Sequence, residues 1–297
     1  MEISHGRFAA PAKVNFGLRI LGKRPDGYHT IETVLQMLNL CDWLTFHTNN
    51  RGTIRLTCLP PTLPTGEGNL IVRAARLLQQ TFQVQQGAEI TLNKHIPIAA
   101  GLGGGSSNAA TTLLVLNRVW QLHCCRATLH RLATQLGSDV PFFLGGPTAL
   151  AGGRGEVLAP VSPPPPLTGV LVNPGFGVSA SWAYRHFSGP SPTTDLTMSK
   201  ILEALRNHDL TLLADVLVND LELGVVTAYP VIRRAQEALR TMGALVTFMS
   251  GSGPTVGGLF PPTVTLPAVV TALRQHSTWS IIPFATLSQS FHPELQG

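Results

Sequence analysis

The sequence predicts an α+β protein in two parts, and three observations support this. An alternating apolar pattern, typical of a half-buried strand, precedes a glycine-rich stretch at residues 101–105, and a helical pattern follows it. The first half as a whole has strands followed by helices, without a regular alternation of the two. A proline-rich stretch at residues 160–166 then separates this half from a second one in which strands and helices alternate.

The elements of the first half follow from local patterns. An N-terminal strand is predicted over residues 8–21. A hairpin follows, with arms at 45–48 and 53–57 around an Asn-Asn-Arg-Gly turn. Asn69 is a good N-cap and predicts a helix to about residue 82, and alternating residues predict a strand over 89–96.

The glycine-rich stretch is the most informative part of the chain. Four glycines in five positions allow a tight turn with no side chain in the way. Apolar residues then recur at helical spacing: Ala109, Leu113, Leu116 and Trp120. Unpaired amides and the positive end of a helix dipole therefore converge on one point, which suits a phosphate. A flexible connector is the alternative interpretation, but a connector needs neither a strand before it nor a helix after it.

Other phosphate-binding loops do not match this stretch. A P-loop requires a lysine after the second glycine, and none follows here. A dinucleotide-binding fingerprint starting at Gly101 requires glycine or alanine where Ser106 stands. The chain also has no His-Arg-Asp or Asp-Phe-Gly sequence, which excludes a protein kinase.

The second half resembles a split β-α-β layer. We place the boundary in the proline-rich stretch, which gives domains of residues 1–162 and 163–297. Strands are predicted at 170–173, 245–249, 255–260 and 279–283. Helices are predicted at 181–187, 200–207, 211–218, 229–241 and 268–275.

Bulk composition restricts the class of protein. The 297 residues are 44% hydrophobic and 12% charged, which describes a well-buried globular chain. The net charge of +5 is spread along the sequence without a basic run. It therefore favours phosphorylated small molecules as ligands, and we expect no nucleic-acid binding. Four cysteines without a Cys-x-x-Cys pair argue against zinc and disulfides. With no signal peptide or membrane-spanning stretch apparent, we expect a cytoplasmic protein with reduced thiols.

Several motifs resemble those of the GHMP kinases. Residues 97–107 read Pro-x-x-x-Gly-Leu-Gly-Gly-Gly-Ser-Ser, which is the second motif of that superfamily, and Ser-Gly-Ser-Gly-Pro-Thr at 250–255 is similar to the third. Further matches are Pro-Ala-Lys-Val-Asn at 11–15, Arg-Pro-Asp-Gly-Tyr-His at 24–29, and residues 136–143, with smaller ones at 69–74 and 219–222. The resemblance runs from about Phe8 to the end of the chain.

The resemblance implies both a fold and an activity. The fold is the two-domain GHMP kinase architecture, with a ribosomal-protein-like N-terminal domain and a ferredoxin-like C-terminal domain. The activity is ATP-dependent phosphorylation of the 2-hydroxyl of a cytidine diphosphate derivative of methylerythritol, in the non-mevalonate isoprenoid pathway. ATP is then the phosphoryl donor, Mg²⁺ arrives with ATP, and the protein itself has no metal site. We expect a monomer or weak homodimer without membrane partners.

Other functions stay open at this point. Within the superfamily, the chain could be another small-molecule kinase, such as a homoserine or mevalonate kinase, or a diphosphomevalonate decarboxylase. A catalytically inactive nucleotide-binding module belongs to a different class. ATP turnover with and without the cytidine substrate distinguishes the two classes.

The resemblance assigns catalysis to Lys13 and Asp139. Phosphoryl transfer needs charge stabilisation and a group that orients or deprotonates the attacking hydroxyl. Lys13 lies in an apolar strand, where an ammonium needs a partner, or else it is an edge lysine that faces water. Asp139 follows a predicted helix end at Gly137, so from spacing alone it could equally cap a turn.

The remaining candidates bind ligands by resemblance. The expected ATP-binding residues are Asn69, Pro97, Ile98, Ala99, Ala100, Gly101, Leu102, Gly103, Gly104, Gly105, Ser106 and Ser107. Ser106 and Ser107 are candidates both for capping the helix and for reaching the phosphate-bound magnesium. The expected substrate-binding residues are Asn15, which orients the substrate, Tyr28 and Tyr184, which stack on cytosine from opposite sides, and His29, which hydrogen-bonds to it.

Overall fold

The chain forms two β-sheets with helices packed against them, in a computed structural model that describes residues 6–61, 63–187, 189 and 198–291. The strands of the first sheet are β1 (Arg7–Lys23), β2 (His29–Asn49), β3 (Ile54–Leu59), β4 (Gly87–Asn93), β5 (Thr148–Gly152) and β6 (Val157–Pro160). The strands of the second sheet are β7 (Thr168–Asn173), β8 (Val246–Met249), β9 (Val256–Leu259) and β10 (Ser280–Ala285).

The helices fall into two groups along the chain. Those of the first half are α1 (Leu70–Phe82), α2 (Gly104–Val119) and α3 (Arg126–Leu136), followed by a short 3₁₀ helix (Pro141–Leu144). Those of the second half are α4 (Ala180–Arg185), α5 (Met198–Arg206), α6 (Leu210–Val216), α7 (Glu222–Ala228), α8 (Val231–Thr241) and α9 (Leu266–His276). None of the helices in the described part of the chain is long and apolar enough to cross a membrane.

The predicted hairpin between β2 and β3 is wrong. The strands of the first sheet run in the order β3-β4-β2-β5-β6, so β4 lies between the two predicted arms. It pairs antiparallel with β2 and parallel with β3. Gly87 makes this possible, because a Cβ there would lie 2.2 Å from the carbonyl oxygen of Thr53. The turn signal is local, whereas the pairing is decided by a strand that returns after α1.

Other predicted elements of the first half are closer to the structure. The predicted N-terminal strand corresponds to β1, and α1 begins after Asn69, whose Oδ1 accepts a hydrogen bond from the Ile71 amide at 3.0 Å. The predicted strand at 89–96 starts two residues earlier and ends at Asn93. Strands β5 and β6 were not predicted, and Pro160 ends β6, which pairs only with β5 and is therefore an edge strand.

The second sheet confirms the ferredoxin-like layer. Its order is β10-β7-β9-β8, and every pair is antiparallel. The helix predicted at 229–241 corresponds to α8, which begins after its N-cap Pro230. Helix α7, which ends at Ala228, lies where the sequence predicts no helix. Helices α4, α5, α6 and α9 lie where the sequence predicts helices, with ends shifted by up to two residues.

Apolar contacts join the two sheets. Phe16 of β1 and Phe248 of β8 are fully buried and meet edge to face, with ring centroids 5.2 Å apart. Leu18 of β1 forms an isolated parallel bridge with Asn219, in the segment between α6 and α7. The middle of β1, which carries Lys13 and Asn15, therefore lies at the junction of the two halves.

Candidate active site

Two cavities adjoin the glycine-rich loop. The larger one, of about 960 Å³, contains Lys13, Asn15 and Asp139. The smaller one, of about 340 Å³, extends from the loop to Asn69 at the start of α1. Four residues line both cavities: Ala99, Gly101, Gly103 and Ser106. The loop is therefore a shared wall between two ligand-sized spaces.

The backbone of this loop is shaped to bind an anion. Ala99, Gly101 and Gly103 have φ angles of 50°, 76° and 68°, so left-handed residues alternate with others. Such alternation forms a nest of amides that binds anions, and α2 starts directly after it at Gly104. The predicted phosphate site at the helix N-terminus therefore has the expected backbone geometry.

The prediction that Ser106 or Ser107 caps α2 is wrong. Gly103 is the N-cap, and no side chain caps the helix. Both serines lie inside the first turn, because the left-handed glycines let the helix start earlier than the serines indicate. Ser106 lines both cavities, whereas Ser107 is fully buried and its Oγ has no hydrogen-bond partner within the described chain.

The loop is held in place by close backbone contacts. A Cβ on Gly101 would lie 2.0 Å from the carbonyl oxygen of Ser250, and the Ser250 Oγ donates to the carbonyl of Gly101 at 3.0 Å. A Cβ on Gly103 would lie 2.9 Å from Cγ of Lys13. The second and third glycine motifs thus pack directly on each other, with the stem of Lys13 beneath them.

Lys13 is buried and fixed at both ends. The pairing of β1 with β2 is irregular between Pro11 and Lys13, and the Lys13 amide donates instead to the carbonyl of Leu102 at 2.9 Å. Its Nζ donates to Oδ1 of Asn15 at 2.7 Å and lies 3.4 Å from Oδ2 of Asp139. Lys13 is therefore not an edge lysine facing water.

Asp139 is held at the end of a helix. Helix α3 ends at Leu136 with Gly137 as its C-cap, and Asp139 follows in the turn before the 3₁₀ helix. Its carboxylate forms the ion pair with Lys13, and about a third of its side chain is exposed to the larger cavity. In the described structure no turn amide donates to this carboxylate, so Asp139 does not act as a turn cap.

Asn15 links this pair to the neighbouring strand. Its Nδ2 donates to Oγ1 of Thr33 at 3.0 Å, and the Thr33 hydroxyl donates to the carbonyl of Gly17. The amide is thereby oriented with Oδ1 toward Lys13. The prediction that Lys13 and Asn15 share one face of the strand agrees with this contact.

Aromatic residues also line the larger cavity. The His29 ring stacks on Tyr184 at 5.4 Å with an interplanar angle of 14°, and both rings line the cavity. Tyr28 is more than half exposed, and the guanidinium of Arg154 lies 4.8 Å from its ring centroid. Burial, with the nearby charge of Asp139, raises the pKa of Tyr184, so its hydroxyl stays protonated and can donate at neutral pH.

The smaller cavity contains a buried ion pair. Lys94 Nζ lies 2.7 Å from Oδ2 of Asp42, whose Oδ1 accepts from the amides of His95 and Ile96 at 2.8 Å each. Burial lowers the pKa of Lys94, and the charge of Asp42 opposes this shift. Lys94 lines the cavity, as do Asn69 and the loop residues from Pro97 onward.

Three residues near the cavities were not identified as site residues from the sequence: Asp42, Lys94 and Arg154. Lys94 occupies an inward position in the alternating pattern before the glycine loop, which was a usable signal, because a charged residue on an apolar face needs a partner. Arg154 is brought to the cavity by a turn between strands that were not predicted. The four cysteines are all unpaired, and the described residues contain no cluster of three or more His, Cys, Asp or Glu side chains that could hold a metal.

Comparison with family models identifies two matching segments. Residues 69–147 match the GHMP kinases N terminal domain, and residues 201–277 match the GHMP kinases C terminal domain. The first segment contains the glycine loop and Asp139. The second begins within α5 and includes the 250–253 loop.

Similar proteins are known by sequence and by structure. The chain is 47% identical to the 4-diphosphocytidyl-2-C-methyl-D-erythritol kinase of Pelotomaculum thermopropionicum, over 84% of this chain and 87% of that protein. It is 40% identical to the enzyme of the same name from Geobacter metallireducens, over 94% and 97%. A crystal structure of 4-(cytidine 5'-diphospho)-2C-methyl-D-erythritol kinase superimposes with a TM-score of 0.80 at 33% identity, covering 95% of this chain and 99% of that one. Homoserine kinase from Cytophaga hutchinsonii, with a TM-score of 0.72 and 17% identity over 96% and 95% of the chains, shares the fold.

Proposed function

The chain belongs to the GHMP kinases and, within them, to the 4-diphosphocytidyl-2-C-methyl-D-erythritol kinases, and on this premise we propose how its two cavities divide the reaction. The smaller cavity takes ATP and the larger one takes the cytidine-bearing alcohol. The γ-phosphoryl group of ATP is transferred to the 2-hydroxyl of the acceptor, a step in the non-mevalonate route to isoprenoid precursors. We further propose a cytoplasmic monomer or weak homodimer, divided into domains at residues 162 and 163.

The observation that carries this proposal is the Lys13–Asp139 ion pair on the acceptor side of the glycine loop. The two charged atoms are 3.4 Å apart, and the loop that separates the cavities packs on the stem of Lys13. A hydroxyl bound beside Asp139 faces a phosphate held by the loop amides. The pair therefore lies where the two ligands must meet.

The protein groups have distinct roles in this transfer. The Asp139 carboxylate accepts the proton of the acceptor hydroxyl as its oxygen forms a bond to the γ-phosphorus. The bond from that phosphorus to the β-phosphate oxygen breaks, and ADP leaves. Lys13 remains protonated and stabilises negative charge on the transferring group, while Asn15 holds the ammonium in position.

The donor is held mainly by backbone. Asn69, which caps α1 and lines the smaller cavity, contacts the adenine. The amides of residues 97–107 and the N-terminus of α2 hold the phosphates. A Mg²⁺ ion bound to ATP would neutralise phosphate charge. Ser106, which lines both cavities, is the residue whose hydroxyl would hold it, whereas the buried Ser107 lines neither of the two.

The acceptor lies along the larger cavity. Its cytosine binds among Tyr28, His29 and Tyr184, with stacking from the tyrosines and a hydrogen bond from the histidine. Its alcohol end reaches Asp139, which lines the same cavity. A single continuous space therefore accommodates both ends of one molecule.

The experiment is ATP turnover measured with and without the cytidine substrate. We expect ADP formation that depends on that substrate, and an Asp139→Asn variant that turns over about 10²- to 10⁴-fold more slowly while it still folds and binds ATP. Asp215→Asn, at an exposed position on α6, is the matched control and keeps full turnover. A wild-type enzyme without substrate-dependent turnover contradicts the function, and near-normal turnover of Asp139→Asn contradicts the assignment of the base.

A further inference from the structure

The turn between β5 and β6 lines the larger cavity with Arg154 and Gly155. Gly153 and Gly155 have φ angles of 65° and 112°, so the turn uses two left-handed glycines. On one side, the Ile31 amide donates a hydrogen bond to the carbonyl of Gly153 at 2.8 Å, which fixes the turn on β2. On the other side, the Arg154 amide donates to Oε2 of Glu156 at 2.6 Å. The position of Arg154 is therefore well defined.

This turn approaches Tyr28 with one residue and Asp139 with the next. The guanidinium of Arg154 lies 4.8 Å from the ring centroid of Tyr28. The next residue, Gly155, is so close to the base that a Cβ there would lie 3.7 Å from Oδ1 of Asp139. Arg154 is thus placed between the proposed cytosine site and the proposed site of transfer.

The guanidinium retains donors for a ligand. Glu156 interacts with its Nε side, with 3.6 Å between Nε and Oε1, and the Arg154 side chain is 30% exposed. Within the described chain, its terminal amino groups have no hydrogen-bond acceptor. A planar fork of donors over an aromatic ring suits a phosphate, because guanidinium binds phosphate through paired hydrogen bonds.

The acceptor places a diphosphate at this point of the cavity. Its cytidine and its methylerythritol are joined by that group, so a molecule with cytosine at Tyr28 and alcohol at Asp139 carries two negative charges past Arg154. Lys23 and Arg185 also line the cavity. No contact described for either of them reaches Tyr28 or Asp139, whereas the turn at residues 153–155 reaches both. Arg154 is therefore the cation best placed to meet the diphosphate.

We propose that Arg154 is a specificity-determining residue that binds the diphosphate of the acceptor and, by lying on Tyr28, joins phosphate binding to base binding. This inference rests on the proposed function, since it takes the acceptor from there. Its two supports are the guanidinium–ring contact and the path of the turn from Tyr28 to Asp139.

The test compares the binding of CDP and of cytidine by calorimetry. We expect Arg154→Ala to weaken CDP binding by about 10- to 100-fold, because a charge-assisted hydrogen bond to phosphate is lost, and to change cytidine binding by less than about 3-fold. Arg154→Lys keeps the charge without the fork and should recover part of the CDP affinity. Equal losses for CDP and cytidine, or no loss for either, overturn the inference.

The matched control is Arg76→Ala. Arg76 also pairs with a glutamate, at 3.5 Å between Nε and Oε1 of Glu67, and it lies outside both cavities. This variant should bind CDP and cytidine as the wild type does. In the kinase assay, Arg154→Ala should raise KM for the acceptor and leave KM for ATP unchanged. A wild type that binds CDP through Arg154 but lacks turnover contradicts the function alone, and an active wild type with an unaffected Arg154→Ala contradicts this inference alone.

Discussion

The side chain of Asn219 donates a hydrogen bond to the carbonyl of Gly251 at 2.7 Å, and a second one to the carbonyl of Met249 at 3.0 Å. A Cβ on Gly251 would lie 3.1 Å from Oδ1 of Asn15 and 3.5 Å from Nζ of Lys13. One amide therefore sets the position of the backbone that packs beside Asn15 and Lys13.

Replacing Asn219 by alanine should slow turnover more than it weakens substrate binding. The two carbonyls lose their donor, so the backbone at Gly251 shifts away from Lys13 and Asn15. We expect kcat to fall by about 10-fold or more with little change in either KM, since small misplacements are costly in transfer reactions. Steady-state kinetics measures this. Asn219→Asp should be no better, because a carboxylate cannot donate, and Asn50→Ala, in an exposed turn, should be neutral. An Asn219→Asp variant with full activity would contradict the role of the donor.

Replacing Gly101 by alanine should damage both stability and activity. The residue has a φ of 76°, and the new Cβ would lie 2.0 Å from the carbonyl oxygen of Ser250. We expect a loss of about 1–3 kcal/mol in the free energy of unfolding, from urea titration, and a larger fall in ATP-dependent turnover. Gly146→Ala, where a Cβ meets nothing within 4 Å, is the control and should unfold like the wild type. Unchanged stability of the Gly101 variant would show that the two loops do not pack as described.

Replacing Tyr28 by alanine should weaken acceptor binding and spare ATP binding. Stacking on a base is worth about 1–3 kcal/mol, which corresponds to a loss in affinity of about 5- to 150-fold. Tyr28 lines only the acceptor cavity of the two beside the glycine loop. Calorimetric titration with CDP and with ATP measures the two losses separately. Equal losses for both ligands would be incompatible with the assignment.

Cys41 should make the protein less stable at alkaline pH. Burial, assisted by the charge of Asp42, raises the pKa of this thiol to about 12, against 9.0 when unfolded. Between these values the folded state keeps a proton that the unfolded state has lost, so the free energy of unfolding falls as pH rises, by about 1 kcal/mol up to pH 10. Urea unfolding of Cys41→Ala at pH 8 and pH 10 should show a smaller fall than the wild type. Cys125→Ala removes an exposed thiol whose pKa is lowered by its hydrogen bond with Thr128, so this variant should show a fall no smaller than that of the wild type. An identical slope for Cys41→Ala would contradict this.

The sequence predicts those parts of the fold that depend on local chemistry. Asn69 caps α1 because its side chain reaches an amide two residues away, and Gly137 ends α3. Both features depend on a few neighbouring residues, so the sequence is sufficient to predict them. The order of the first sheet is different, since β4 separates β2 from β3 only after the chain has formed α1. No turn signal between β2 and β3 contains that information.

In the site, too, some features follow from local sequence and others depend on the tertiary structure. Lys13, Asn15 and Asp139 are recognisable from motifs, and the structure brings them together. The start of α2 could not be predicted correctly. The sequence indicates a side-chain cap from Ser106 or Ser107, whereas the N-cap is Gly103 in a left-handed conformation. Arg154 depends on a turn between two short strands with weak patterns, so its approach to Tyr28 required three-dimensional information.

The thin partition formed by Ala99, Gly101, Gly103 and Ser106 has a practical consequence for inhibition. With ATP and the acceptor in the two cavities as proposed, a single compound that tethers an adenosine mimic to a cytidine mimic has only these residues to pass. Each half then raises the local concentration of the other, and the affinity gained depends on tether length. A short tether that follows the path of the transferred group should be favoured over a long flexible one.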